Sequence, residues 1–213
     1  MRKIIKAGFK KFVEFSIWIY YVIVHRIKVE GRENIPKEGA LVFCGNHRSY
    51  LDAPLIRVTA KRETFFLAKA SLYRHKFLAF MGWVFEVIPV KKDDNDINAI
   101  KASLKHLKNG ECIALFPEGT RNGIEKGEKV KDGAAFFAIR TGAKVIPIGI
   151  SGTMKKFCKL KIKYGKPLDF SSYDKNDQEA LAKATNEIME NIFSLVEKWE
   201  MRNGDGSHFS FFD

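Results

Sequence analysis

The sequence predicts an α/β domain whose largely parallel or mixed sheet is flanked by helices, preceded by an amphipathic helix that lies on a membrane. Two observations predict the domain. Short apolar runs of strand length alternate with longer stretches of helical period along most of the 213 residues, and parallel neighbours need the crossover connections that such helices supply. The length is that of one domain with a substantial core. A third observation, a basic start running straight into an apolar stretch, predicts the leading helix.

That start, MRKIIKAGFKK, carries Arg2, Lys3, Lys6, Lys10 and Lys11 with no acid, and continues as FVEFSIWIYYVIV. As a helix, Phe12 to Val24 reaches only ~20 Å against a hydrocarbon core of ~30 Å, too short to cross. HRIKVEG follows where a secretion signal would have a small-residue cleavage site, so the segment is expected to stay attached. At helical spacing Ile5, Phe9, Phe12, Ile19 and Ile23 share one side, and Arg2, Lys3, Lys6 and Lys10 the other. A helix over residues 1–26 would thus lie in the interface, lysines on anionic headgroups, with Trp18, Tyr20 and Tyr21 at headgroup depth. A helix simply packed on the domain is the competing reading.

From residue 27 the expected strands are IKVEG, ALVFCGN, TFFLA, VFEVIPV, CIALF, VIPIGI and KLKIKYG. The expected helices are Ala53 to Ala60, Leu72 to Met81, Asn95 to Lys108, Lys131 to Thr141 and Asn176 to Trp199. Asp94 or Asn95 can cap the third helix, and KNG ends it at Gly110. The domain is taken as residues 27–200. Residues 201–213, with turn formers and no helical period, read as a flexible tail in which Phe209, Phe211 and Phe212 are docking candidates.

Lys and Arg exceed Asp and Glu by 37 to 25, a formal net charge of +12, which calls for a polyanionic partner. The charge at the N-terminus points to a membrane surface with anionic lipid. Lys159, Lys161 and Lys163 alternate as on a solvated edge strand guarded by lysines, and no nucleic-acid module accompanies them, so nucleic acid is not an expected partner. Cys44, Cys112 and Cys158 are odd in number and lack metal-ligand spacing. Cys44 and Cys112 read as buried thiols in a reducing cytoplasm. No metal is expected.

Two stretches carry chemistry. In GNHRSYLD, His47 and Asp52 are five residues apart; on one continuous helix that spacing turns the side chains about 140° apart. They meet only if His47 sits in a loop and Asp52 at the start of a helix, which the strand-ending CGN and the first-turn Pro54 permit. The carboxylate would then fix the imidazole tautomer and free the other nitrogen to take a proton; a plain cap and a surface histidine are the alternative. In CIALFPEGTRNG, a strand ends at Pro117 and Glu118, Gly119, Thr120 and Arg121 form a turn. Its backbone N–H groups and the Arg121 guanidinium suit a phosphate; a surface ion pair is the alternative. KFLAFMGWVFEVIPV, dense in aromatics, is open between an acyl-chain groove, a bilayer contact and an ordinary buried segment.

NHRSYLD followed by FPEGTRN resembles the glycerolipid acyltransferase family, in particular its bacterial 1-acyl-sn-glycerol-3-phosphate acyltransferases. His47 and Asp52 match the first motif of that family, Phe116 to Arg121 the third, and VIPIGISG with Pro147 the fourth; the likeness covers roughly residues 27 to 170. Where the second motif has an arginine, Lys92 stands here, which keeps the charge and loses the bidentate fork. The resemblance implies transfer of a fatty acyl group from acyl-CoA or acyl carrier protein, as co-substrate and with no cofactor, to the hydroxyl of lysophosphatidic acid, giving phosphatidic acid for phospholipid synthesis. His47 would be the base and Asp52 its orienter. Lys92, Arg121 and Lys131 would bind the acceptor phosphate beside Glu118, Gly119 and Thr120. It also implies a peripheral or monotopic enzyme on the cytoplasmic face of the cell membrane. Another lysophospholipid or glycerol 3-phosphate is the alternative acceptor, and a non-catalytic membrane adaptor the more distant alternative.

Overall fold

A computed structural model of the chain describes residues 2–91, 96–123, 126–152 and 157–196, with side chains from residue 7 onward. Seven strands form one sheet: β1 (Lys28–Glu30), β2 (Leu41–Gly45), β3 (Thr64–Lys69), β4 (Ile88–Val90), β5 (Cys112–Leu115), β6 (Lys144–Gly152) and β7 (Leu160–Tyr164), in the order β1-β7-β6-β2-β5-β3-β4. All neighbours are parallel except β6 and β7, so the sheet is mixed and largely parallel. Every strand run read from the sequence is present. VFEVIPV shortens to its last three residues because Val84 still belongs to a helix and Glu86 turns the chain with φ 53°.

Among the described residues six α-helices flank the sheet: α1 (Arg2–His25), α2 (Asp52–Ala60), α3 (Lys76–Val84), α4 (Ile97–Lys108), α5 (Gly133–Thr141) and α6 (Gln178–Leu195). Their positions follow from β2, which is buried along its whole length. Leu41 and Phe43 point to one face, where Tyr21 of α1 and Leu55 and Ile56 of α2 cover them. Val42 and Cys44 point to the other and pack with Ala135 and Ala138 of α5 and Ile188 and Ile192 of α6. A strand covered on both sides reads as a continuous apolar run, which is why ALVFC was legible.

Several expectations need correction. The segment Leu72 to Met81 is a 3₁₀ turn over Ala70–Arg74, an extended His75 and then α3. Asp96 caps α4, its carboxylate accepting from the N–H groups of Asn98 and Ala99; Asp94 and Asn95 lie outside the described residues. β7 is not an edge strand. β1 lies outside it, and Glu30 of β1 accepts Lys161 at 3.1 Å and reaches Lys163 at 4.0 Å. Trp199 and the tail with Phe209, Phe211 and Phe212 lie outside the described residues.

The leading helix also has different faces from those expected. Tyr21 is fully buried rather than at a headgroup, and Val13 and Ile17 pack beside it on the domain. Lys10 turns inward, bonded to Glu86 at 2.5 Å and lying over Trp83. Glu14 accepts from Arg57 of α2 at 2.8 Å. Phe9, Phe12, Phe15, Trp18 and Ile23 stay exposed; the side chains of Arg2, Lys3, Ile5 and Lys6 lie outside those described. The helix is therefore docked on the domain along one stripe and bare and aromatic along another. Among the described residues, no helix is long and apolar enough to cross a membrane.

Candidate active site

The site is built where β2 and β5 end, at the carboxyl edge of the sheet, the usual place for ligands in open α/β folds. β2 stops at Gly45, and Asn46 continues its pairing with a side chain: Nδ2 donates to the Ile150 carbonyl at 3.0 Å and Oδ1 accepts from the Ile150 N–H at 2.7 Å. Held to β6 in this way, the chain turns out of the sheet at His47. The turn after β5 grips the His47 peptide on both sides. Glu118 accepts the His47 N–H at 2.9 Å, and the Asn122 N–H donates to the His47 carbonyl at 2.7 Å.

The side chain of His47 is fixed as firmly. Its ring stacks on Phe116, centroids 4.1 Å apart and planes within 13°. Nδ1 lies 2.9 Å from Asp52 Oδ2. An ionised carboxylate only accepts, so Nδ1 carries the proton of this bond and Nε2 is left as the acceptor. The imidazole keeps 18% of its surface exposed, whereas Asp52 has none. Asp52 is the first residue of α2, and Oδ2 also accepts from the N–H groups of Arg48 at 2.6 Å and Ser49 at 2.7 Å. It therefore folds the preceding loop back on itself rather than capping its own helix, with its negative charge at the favourable end of the helix dipole. Behind it, the buried hydroxyl of Tyr21 donates to the Leu51 carbonyl at 2.6 Å.

The Phe116–Arg121 turn presents the cations. Gly119 has φ 67°, and a Cβ there would fall 2.7 Å from Cε of Lys131, whose stem crosses the glycine. The Lys131 N–H bonds the Pro117 carbonyl at 2.8 Å, which anchors that crossing. The Arg121 guanidinium lies 3.8 Å over the ring of Tyr50 and donates through Nη2 to its hydroxyl at 3.0 Å. Thr120 Oγ1 is buried with no protein partner among the described residues.

The structure thus joins His47 to Asp52 and brings Glu118, Gly119, Thr120, Arg121 and Lys131 around the same loops. Glu118 is buried and bonded to the His47 backbone, an anchoring position that the sequence did not suggest. Lys92 lies outside the described residues. Asn46, Tyr50, Tyr21 and the stacking of Phe116 were missed; an aromatic in the polar run HRSYLD was the one legible sign among them. Among the described residues, no cluster of His, Cys, Asp and Glu is arranged to hold a metal ion.

The arrangement offers an oriented imidazole with one free nitrogen beside a shelf of fixed cations. The chain is 31% identical over 151 residues, 69% of its length, to the 1-acyl-sn-glycerol-3-phosphate acyltransferase of Borreliella burgdorferi. It is 31% identical over 152 residues to the chloroplastic enzyme of that name in Arabidopsis thaliana. The matches span 58% and 40% of those two proteins. With the protein of that name in Bacillus subtilis it shares 27% over 81% of this chain and 89% of the relative. The crystal structure of the Thermotoga maritima 1-acyl-sn-glycerophosphate acyltransferase superposes with a TM-score of 0.67 over 95% of this chain and 85% of that one at 24% identity, a likeness of fold. The sequence model described as Acyltransferase matches residues 26–151, more than half of the chain, and the chain belongs to the acyltransferase family.

Proposed function

We propose that this protein moves a fatty acyl group from a thioester, on coenzyme A or acyl carrier protein, to the free hydroxyl of lysophosphatidic acid, giving phosphatidic acid. The observation that carries the reading is the His47–Asp52 pair, buried at the acid and open at the imidazole. Nε2 takes the hydroxyl proton as the oxygen attacks the thioester carbonyl. The tetrahedral intermediate then collapses, the C–S bond breaks, and the proton on His47 passes to the departing thiolate. Asp52 faces the imidazolium formed in between, so charge develops next to a carboxylate already in place. Arg121, Lys131 and Lys92 hold the acceptor phosphate, which fixes the hydroxyl for attack.

The enzyme works on a membrane surface, peripherally and on the cytoplasmic side. The exposed aromatic stripe of α1 supports the membrane contact, because it continues onto α3: Phe9 packs against Phe80 and Trp83, each pair 6.3 Å between centroids, and Phe77 beside them is 69% exposed. An apolar surface of this kind with basic residues nearby suits an anionic bilayer.

A panel of acceptors offered to purified protein with acyl-CoA and acyl carrier protein donors tests the activity. Lysophosphatidic acid is expected to be acylated in preference to glycerol 3-phosphate and to lysolipids with other headgroups; acylation of one of those alone would overturn the assignment. Sedimentation with anionic vesicles, compared between the full chain and a Phe9→Ser/Phe12→Ser/Phe77→Ser variant, tests the membrane face. Equal sedimentation would remove it.

A further inference from the structure

We infer that Tyr50 is a positioning residue for the acceptor phosphate, holding the Arg121 guanidinium ready for it; the inference rests on the function proposed above. Tyr50 stands inside the first motif and Arg121 at the end of the third, 71 residues later in the chain. Their backbones are already tied together through His47, by Glu118 on its N–H and Asn122 on its carbonyl. The loops therefore hold still, and what Tyr50 fixes is the orientation of one flexible side chain.

The contact has two parts. The ring covers one face of the guanidinium at 3.8 Å, a cation–π contact, and the hydroxyl accepts one Nη2 hydrogen at 3.0 Å. The bond to Tyr50 uses one Nη2 hydrogen of the five guanidinium N–H groups, so the planar fork keeps a pair of N–H groups for two phosphate oxygens. Lys126 donates to the Arg121 carbonyl at 2.7 Å, which steadies the same residue from its backbone side. Of the three cations assigned to the acceptor, only Arg121 has such a fork. Lys92 and Lys131 are ammonium point charges that attract a phosphate without setting its angle. Orientation of the acceptor, and preference for a phosphate over a headgroup lacking two free oxygens, then fall to Arg121 as Tyr50 holds it. Tyr50 is 49% exposed, so its removal leaves the core untouched.

The test is a double-variant cycle on the full chain, with Tyr50→Phe, Tyr50→Ala, Arg121→Ala and Tyr50→Ala/Arg121→Ala. It is read both by kinetics on lysophosphatidic acid and by titration of inorganic phosphate against protein labelled at its arginine side chains. Tyr50→Ala is expected to raise KM for the acceptor roughly fivefold to tenfold, with kcat and the thioester KM little changed, and to weaken phosphate binding by a similar factor. Tyr50→Phe keeps the ring and is expected to restore most of the loss. The double variant should match Arg121→Ala alone, since Tyr50 acts only through it. Unchanged KM and phosphate affinity in Tyr50→Ala, factors that multiply in the double variant, or a fall in kcat at constant KM would each overturn the inference. A wild-type protein that fails to acylate lysophosphatidic acid while Tyr50→Ala still weakens phosphate binding would sink the proposed function and leave Tyr50 its role. A wild-type protein that acylates it, with phosphate binding indifferent to Tyr50, would do the reverse.

Discussion

Among the described residues two histidines each face an acid five residues later. His47 reaches Asp52 at 2.9 Å and His106 reaches Glu111 at 2.8 Å, in both cases through Nδ1. Each imidazole even stacks on a phenylalanine, Phe116 at 4.1 Å and Phe65 at 3.7 Å. The surroundings differ. Asp52 is fully buried and collects two backbone N–H groups besides the imidazole, whereas the Glu111 side chain is 38% exposed. The His47 peptide is held by the turn after β5; His106 sits in the last turn of α4, which leads into β5 and so lies at the amino end of the sheet, away from Arg121. Spacing and a short Nδ1–carboxylate distance are thus shared by a dyad and a surface pair. What separates them is the buried acid and the second loop; cations stand near both, since Lys105 and Lys108 share the last turn of α4 with His106.

The largest expected effect tests that distinction. His47→Ala should lower kcat/KM by roughly 10²–10⁴-fold, the range of a lost general base. Asp52→Asn should fall in the same range, because an amide in place of the carboxylate no longer dictates the tautomer or faces an imidazolium. Circular dichroism should show both folded. Activity within a few fold of wild type in either would dissolve the difference between the two pairs. Next is the second loop: Glu118→Ala removes the acceptor from the His47 N–H and should cost up to roughly 10²-fold in kcat through misplacement of the base. Glu118→Gln still offers an oxygen and should retain most activity; equal loss in both would mean that the charge, and not the bond to His47, matters.

How much of this could be read from the chain depends on what each residue obeys. β2, β5 and β6 were legible because both faces are buried and the apolar run has no alternative use. The meeting of His47 with Asp52 was legible as a condition, since only a loop followed by a helix start permits it. The bond from Asn122 to the His47 carbonyl was not, because a backbone N–H has no signature in sequence. Glu118 was read only as part of the phosphate-binding turn, since carboxylates seldom go buried and the group it accepts from, the His47 N–H, is another such N–H. In α1 the difficulty was geometric: apolar residues occur around most of the helix, so no single stripe announces itself. Tyr21 went to the core where Trp18 did not, because contact with α2, absent from the local pattern, decides between them.

A third histidine shows what burial does without an acid. His25, at the end of α1, is fully buried against Tyr20 and Tyr21, and its Nδ1 has no partner among the described residues. Burial disfavours its charged form and lowers its pKa. The unfolded chain, with a histidine pKa of about 6.5, then binds more protons than the folded one below that pH. The contribution of a neutral His25 is complete above that value and is lost as pH falls from it through the lowered pKa of the folded state. Melting temperature followed from neutral into acid should drop less steeply in His25→Phe than in wild type. Parallel curves would remove burial of this ring as a source of acid sensitivity.

The smallest effect is expected from His106→Ala, and it is the control for the largest. A half-exposed ion pair is worth about 0–1 kcal/mol of stability, and the lost stacking on Phe65 adds a contact at the surface rather than a cavity in the core. Stability should therefore fall slightly, and kcat and KM should stay within about twofold of wild type, as for surface changes remote from a site. Glu111→Gln should behave alike, because among the described residues no second loop grips the His106 peptide, whose carbonyl accepts from Asn109 and Glu111 just after it. A large loss of turnover in either variant, with the melting temperature preserved, would mean that the surroundings assigned to His47 are not what makes an imidazole catalytic here; kinetics and melting curves measured together on His47→Ala and His106→Ala decide it.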